Sequence, residues 1–120
     1  MNDQELLRLA AKAAGAEWTD YQRGTPNHWH IERADGVWRE WNPLNDDGDA
    51  LRLAVKLGLA VRVLEKCVFV ESDPETLLGQ SSVSELEMYG RPRDPYAATR
   101  RAITRAAAEI ARTTDTGGEA

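Results

Sequence analysis

Apolar residues recur along this chain first at helical spacing and then in strand-like runs, and each change of pattern predicts a new element. The predicted first helix begins at a cap, Asn2, and ends at Gly15. Residues 16–27 are predicted to form a loop. Residues 28–33 and 37–41 are strand-like, and Asp35-Gly36 between them predicts a hairpin with a two-residue turn, because glycine tolerates a positive φ.

The second half of the pattern repeats this order. Pro43 ends the first hairpin, Asn45 or Asp46 caps a second helix, and Gly58 closes it. Two apolar runs, LAVRVL and CVFVE, flank residues 65–66 and predict a second hairpin. One face of that hairpin is expected to carry Val61, Val63, Val68 and Val70. Residues 72–93 are rich in glycine, proline and serine and are predicted to form a long loop.

The last predicted helix is the clearest element. Asp94 caps it, Pro95 occupies the first helical position, and strong helix formers continue to Arg112. Residues 113–120 are expected to fray. The order helix, hairpin, helix, hairpin, helix predicts a single α+β domain over residues 1–112, in which three helices pack on a four-stranded, largely antiparallel sheet.

The composition indicates the class of protein and its cellular location. The chain has 120 residues, of which 42% are hydrophobic and 29% charged, as expected for one globular domain. Neither a signal peptide nor a membrane span is recognisable, so a cytoplasmic location without membrane association is predicted. The single cysteine, Cys67, lies in the apolar run CVFV, which favours a buried and inert thiol.

The net charge and its distribution along the chain indicate which classes of partner are favoured. The net charge of −5 disfavours duplex nucleic acid, which requires a concentration of lysine and arginine. Residues 88–120 nevertheless carry six arginines against four acidic side chains. Arg101 and Arg105 are neighbours on the last helix, and Arg112 lies two turns on. This row could meet an acidic protein, a nucleotide phosphate or nucleic acid, although a solvated helix face is the favoured interpretation.

Candidate chemistry is sparse. His28 and His30 share one strand face, as paired metal ligands would, but no further histidine exists to join them, and a polar face is favoured. Three acidic or amide side chains in WNPLNDDGD have calcium-loop spacing, yet the glycine and the bidentate glutamate of that motif are missing, so helix capping explains them better. No motif for catalysis or cofactor binding is present; we therefore predict no catalytic residue, metal or cofactor, and an enzyme is the less favoured interpretation.

The tryptophans suggest a binding surface. With a two-residue turn, His30 would face Trp41 and Arg33 would face Trp38, so aromatic side chains would occupy both faces of the hairpin. Exposed tryptophan beside arginine and histidine is typical of a binding hot spot, whereas helices on both faces would make the rings part of the core, which is the favoured interpretation. The predicted binding residues are Trp41, His30, Arg39 and Trp38 on the hairpin, with Arg101 and Arg105 on the last helix.

Two segments carry a family resemblance. WNPLNDDGDALRLAVKLGL at 41–59 and DPYAATRRAITRAAAEIAR at 94–112 resemble a family of small bacteriophage and prophage proteins named for a phage α-β-α sandwich domain. The resemblance spans most of residues 2–112 and implies a sheet with helices packed against it, in a bacterial host's cytoplasm. It implies no reaction and transfers no functional residue. The stretch 72–93 follows no recognised pattern of the family.

These observations together predict a phage-derived accessory protein that acts by binding, with a host protein as the expected partner and interference with host defence as one suitable setting. The alternative is a small enzyme, or a protein that binds a nucleotide or another small molecule, using the 72–93 loop and the nearby arginines. The oligomeric state is left open by the sequence.

Overall fold

A computed structural model describes residues 2–19, 28–72 and 83–118 of the chain. In these ranges it contains three helices and two three-stranded antiparallel sheets. Sheet 1 has the order β1-β2-β3, and sheet 2 has the order β4-β5-β6. The elements are α1 (Asp3–Ala14), β1 (Glu17–Thr19), β2 (His28–Glu32), β3 (Trp38–Glu40), α2 (Asp47–Leu57), β4 (Leu59–Val63), β5 (Cys67–Ser72), β6 (Ser84–Met88) and α3 (Pro95–Gly118).

The fold is α+β as predicted, but the single four-stranded sheet is wrong. Two strands lie in segments that the sequence assigns to loops, β1 within 16–27 and β6 within 72–93. β1 is only three residues long, too short for a period-2 pattern to emerge. β6 turns Glu85 and Glu87 to the face that it shares with the buried Val70 and Val68, the reverse of the usual apolar-inward pattern. Each predicted hairpin therefore gains a third strand and forms a sheet of its own.

The three predicted helix N-caps are confirmed. In each, the side chain of the cap accepts the backbone N–H of the residue three positions on, at 2.8 Å for Asn2, 2.8 Å for Asp46 and 3.0 Å for Asp94. Gly58 ends α2 in the left-handed conformation, at φ 65°, where a side chain would be strained. The last helix extends to Gly118, beyond the predicted end at Arg112.

Helix α3 is the centre of the packing. Its inward positions are mostly alanine, and Ala102, Ala106 and Ala107 are fully buried. Small side chains allow the neighbouring elements to approach the helix backbone closely, so α3 contacts α1, α2 and sheet 2. On the α1 side, a separate cluster joins Leu6 and Leu9 to alanines of α3. Sheet 2 meets α3 through its inner face, where Val68 and Val70 have no exposed surface.

The second hairpin follows its prediction. Val61 lies opposite Val70 and Val63 opposite Val68, with residues 65–66 as the loop between β4 and β5. The backbone N–H of Leu64 donates to the carbonyl oxygen of Cys67 at 2.8 Å and closes that loop.

The first hairpin has a different register from the predicted one. The backbone N–H of Arg33 donates to the carbonyl oxygen of Val37 at 3.1 Å, so the loop has three residues, with Gly36 at φ 80°. Its pairs are His30 with Glu40, Ile31 with Arg39, and Glu32 with Trp38. A shift of one residue exchanges the two faces of a strand. The predicted pairing of His30 with Trp41 is therefore wrong: Trp38 shares the face of His30, and Trp41 turns to the opposite face.

The loop of this hairpin is held by Asp35. Its carboxylate accepts the backbone N–H of Val37 at 3.0 Å and two N–H groups of Arg39 at 2.8 and 3.2 Å. The hydrogen bond with Arg39 is the largest cause that lowers the pKa of Asp35 below its ordinary value, and the Val37 amide adds to it. The same pair raises the pKa of Arg39.

A buried carboxylate joins this hairpin to α2. Asp49 is 3% exposed and accepts the backbone N–H of Asn42 at 2.9 Å, beside a 2.8 Å bond from Arg52. Arg33, at the end of β2, approaches the same carboxylate at 3.4 Å. The chain that leaves sheet 1 is thus fixed to the first turn of the next helix. No helix in the described ranges is both long and apolar enough for a membrane span.

Replacing Asp94 by alanine removes the cap of α3. We expect the free energy of unfolding to fall by about 1 kcal/mol, as for other caps. Chemical denaturation of the two proteins measures this difference, and an unchanged midpoint would show that the cap contributes nothing.

Replacing Asp49 by alanine removes the acceptor of the Asn42 amide and leaves Arg33 and Arg52, whose side chains are 29% and 49% exposed, without their shared carboxylate. We expect a loss of about 1.5–3 kcal/mol of folding stability, the range for hydrogen bonds to a charged group. Asp47→Ala is the matched control, because Asp47 is exposed and its ion pair with Arg100 is worth at most about 1 kcal/mol. Equal losses in the two variants would contradict the structural role of Asp49.

The lowered pKa of Asp35 gives a pH-dependent contribution to stability. Since the folded pKa lies below the unfolded one, the contribution is complete above the unfolded pKa of about 3.9 and is lost as the pH falls through the folded pKa. We expect wild type to be more stable than Asp35→Asn at neutral pH and the two to converge in strong acid. Denaturation midpoints across this pH range test it; a difference that does not change with pH would exclude the ion pair as its cause.

Candidate functional site

One face of sheet 1 collects exposed aromatic and acidic side chains. It is the face on which His30 lies, and we call it the histidine face. Its residues are Glu17, Thr19, His28, His30, Glu32, Trp38 and Glu40. The opposite face carries Trp29, Ile31 and Trp41, which pack on or within the main core, and Trp18, which is 49% exposed and contacts the ring of Trp29. Most of that side of sheet 1 therefore serves the fold, whereas the histidine face does not.

The aromatic rings of the histidine face are held in a defined arrangement. The ring centroids of His30 and Trp38 are 4.7 Å apart and the rings meet edge to face at 68°. His28 lies 6.0 Å from His30, and the hydroxyl of Thr19 hydrogen-bonds Nδ1 of His30. Trp38 nevertheless remains 44% exposed. A large, oriented and half-exposed indole loses little conformational entropy when a partner covers it.

Three carboxylates surround this pair of rings. Glu17 on β1 and Glu40 on β3 lie directly opposite His30 on its two sides, and Glu32 lies opposite Trp38. Directly opposed residues of antiparallel strands have Cβ atoms about 4.5–5.5 Å apart, so the carboxylates border the rings. All three glutamates are exposed.

Within the described residues, these glutamates lack the basic partner that most other acidic side chains have. Arginines form ion pairs with acids of α1, α2, sheet 2 and α3. Across residues 2–19, 28–72 and 83–118, by contrast, no ion pair engages Glu17, Glu32 or Glu40. Within the part of the chain that the structure describes, the histidine face is thus a local concentration of negative charge without ion pairs, around an exposed indole.

Such a surface suits a cation. An ammonium or guanidinium group over an indole face is attracted by the ring, and neighbouring carboxylates add hydrogen-bond acceptors and charge. For a metal ion, by contrast, the described residues contain no group of three His, Cys, Asp or Glu side chains that could hold one.

The residues predicted for binding separate into three places. His30 and Trp38 meet on the histidine face. Trp41 is 3% exposed and belongs to the core, where its backbone N–H donates to the carbonyl oxygen of Trp29 at 2.8 Å. Its predicted position on the less covered face is therefore wrong. Arg39 lies on the same side as Trp41 and pairs with Asp35.

Arg101 and Arg105 lie together on α3, apart from sheet 1. Arg101 donates to Asp3 of α1 at 2.9 Å, and Arg105 reaches Glu87 at 2.7 Å and Glu85 at 3.4 Å on β6. These ion pairs cross-link elements of the fold. Both guanidiniums are thus engaged by the protein's own carboxylates, which favours a structural role for the predicted stripe.

A second exposed apolar region lies between α2, β4 and the start of α3. The groove there has a volume of about 510 Å³, and Leu51, Val63 and Tyr96 on its walls are 64%, 59% and 70% exposed. The charged groups at this groove, Asp47 and Arg100, pair with each other at 2.6 Å. Nothing in the groove indicates the chemistry of an occupant, whereas the charges of the histidine face do.

The three glutamates are not among the residues predicted for binding from the sequence. The sequence pattern places Glu17 in a loop, and the predicted register places Glu32 opposite Arg39, which would neutralise it. The alternation His28, His30, Glu32 within β2 was the available signal, since residues two apart on a strand share a face. Only the correct register brings Trp38 and Glu40 onto that face.

Comparison of the chain with protein families, curated proteins and solved structures finds no match.

Proposed function

We propose that this protein acts by binding another protein, and that the histidine face of sheet 1 receives a basic segment of that partner. The observation that carries the proposal is the half-exposed Trp38 bordered by exposed carboxylates that form no ion pair with any described basic side chain. Phage origin and a host protein as the partner, which the resemblance implies, stay predictions.

The chemistry of the partner follows from charge complementarity. Glu17, Glu32 and Glu40 repel one another in the free protein, and a guanidinium or ammonium group among them would relieve that repulsion. Trp38 supplies the apolar and cation–π contact that concentrates binding energy at few residues. An arginine side chain fits both requirements, because it stacks on aromatic rings and donates to two carboxylates.

A protein segment suits the shape of this surface better than a small molecule. The histidine face is part of an open sheet, and β3 exposes all three of its residues, Trp38, Arg39 and Glu40. Small-molecule sites are concave and bury most of their ligand, which an open sheet face does not do. A surface of several side chains can instead be covered by an extended or helical segment.

A defined peptide pair tests the proposal. We expect an arginine-rich peptide to bind the full chain in a calorimetric titration, and the same peptide with glutamine at every arginine not to bind. Affinity should fall as salt is added, because exposed charges are screened over about 10 Å at 0.1 M ionic strength. Trp38→Ala should lose about 2 kcal/mol of binding, which is roughly thirty-fold in Kd.

Matched variants distinguish binding at the histidine face from non-specific attraction of the peptide to an acidic protein. The double variant Glu32→Gln with Glu40→Gln should weaken the peptide and flatten its salt dependence, whereas Glu65→Gln in the β4–β5 loop removes an exposed charge elsewhere and should leave affinity nearly unchanged. Denaturation midpoints establish that each variant is folded.

A folded Trp38→Ala protein with wild-type affinity would refute the proposal. Free arginine binding as tightly as the peptide would assign the face to a small cation instead.

A further inference from the structure

A cleft opens on the other side of sheet 1, between the first hairpin, α2 and the end of α1. Its volume is about 520 Å³, within the range of small-molecule sites. Ile31, Trp41 and Leu53 provide an apolar floor, and the last two are almost fully buried. The indole of Trp41 does not reach the histidine face and packs behind this floor, so Ile31 is the floor side chain that stays partly exposed.

Four basic side chains line the same cleft: Arg33, Arg39, Arg52 and Lys56. They come from the hairpin and from α2, so the tertiary structure brings them together from separate parts of the sequence. The acidic side chains at the lining are Glu32, which belongs to the histidine face, and Asp35, which Arg39 already engages. The lining therefore carries more positive than negative charge.

The basic groups are not all satisfied by the protein's own acceptors. Arg33 and Arg52 share one carboxylate, Asp49, at 3.4 and 2.8 Å, and Asp46 lies further from Arg52 at 3.8 Å. Among the described residues, Nε of Arg33 is buried without a hydrogen-bond partner. A buried donor without an acceptor costs free energy, and the ion pair of Arg33 with Asp49 is long at 3.4 Å, so the guanidinium of Arg33 is only weakly compensated.

Lys56 is the other basic group with unbalanced charge. Its ammonium donates to the carbonyl oxygen of Ala14 at the end of α1, a neutral acceptor. No carboxylate in residues 2–19, 28–72 or 83–118 forms an ion pair with it. An anion entering the cleft would therefore meet a lysine whose charge is free to be compensated.

From this juxtaposition we infer that the cleft binds a small organic anion, a carboxylate or phosphate carried on a flat apolar body. The anionic group lies among Arg33, Arg39 and Lys56, and the apolar body covers Ile31 and the small exposed edges of Trp41 and Leu53. A few polar groups converging on an apolar floor are the usual composition of such sites. This site goes beyond the proposed protein interaction, since it lies on the opposite face of the sheet and takes the opposite charge.

Three aromatic probes of similar size test the inference: phenyl phosphate, benzoate and the neutral benzamide. Each is titrated into the full chain while two-dimensional NMR follows the indole N–H signals and the amides of α2. Saturable shifts with phenyl phosphate or benzoate, but not with benzamide, are expected, and the tighter of the two anions identifies the preferred group. Equal shifts with benzamide, or none with either anion, would overturn the inference.

Variants locate the site. Lys56→Gln should raise the Kd of the anion about tenfold, the effect of losing one charge-assisted hydrogen bond. Lys66→Gln makes the same charge change in the β4–β5 loop and should have no effect. If Lys56→Gln proves unstable, Arg39→Gln serves instead, because the ion pair of Arg39 lies at the surface. Wild-type affinity in a folded Lys56→Gln or Arg39→Gln protein would refute the assignment. The arginine-rich peptide should bind Lys56→Gln normally, so the two proposals fail independently.

Discussion

The carboxylate of Asp49 is the contact on which the placement of sheet 1 depends. A charge that is 3% exposed is costly unless it is compensated, and here two arginines and the backbone N–H of Asn42 compensate it. Arg33 follows β2, Asn42 follows β3, and Arg52 lies in α2. The side chain of Asp49 therefore fixes the hairpin against the helix. The aromatic floor at Trp41 and the basic walls of the cleft are positioned by the same contact.

Sheet 1 differs from sheet 2 in how it uses its two faces. The inner face of sheet 2 packs on α3 and is closed by fully buried valines. Sheet 1 meets the core mainly through Trp29, Ile31 and Trp41, so its histidine face is left to solvent. Acidic groups border the histidine face. The cleft on the other side is lined by four basic side chains and by two acidic ones, Glu32 and Asp35, so the balance of charge differs between the two sides of sheet 1.

Local interactions made much of the fold predictable. Helix caps at Asn2, Asp46 and Asp94 depend on side chains three residues from the amides they accept, and that distance is visible in the sequence. The second hairpin was predictable because its valines alternate and its loop has two residues. The strands β1 and β6 were not, since one is very short and the other places its glutamates inward, where Arg105 of α3 pairs with them.

The sequence by itself determined where helices begin, which residues can turn, and that aromatic and charged side chains crowd the first hairpin. It could not determine which of Trp38 and Trp41 is exposed. That depended on whether the loop at Gly36 has two or three residues, because a shift of one residue in register exchanges the faces on which Trp38 and Trp41 lie. The sequence likewise does not show that four basic side chains cluster: Arg33, Arg39, Arg52 and Lys56. They come together only when the hairpin packs on α2, where Arg33 meets the buried carboxylate of Asp49, and no local sequence pattern indicates that contact.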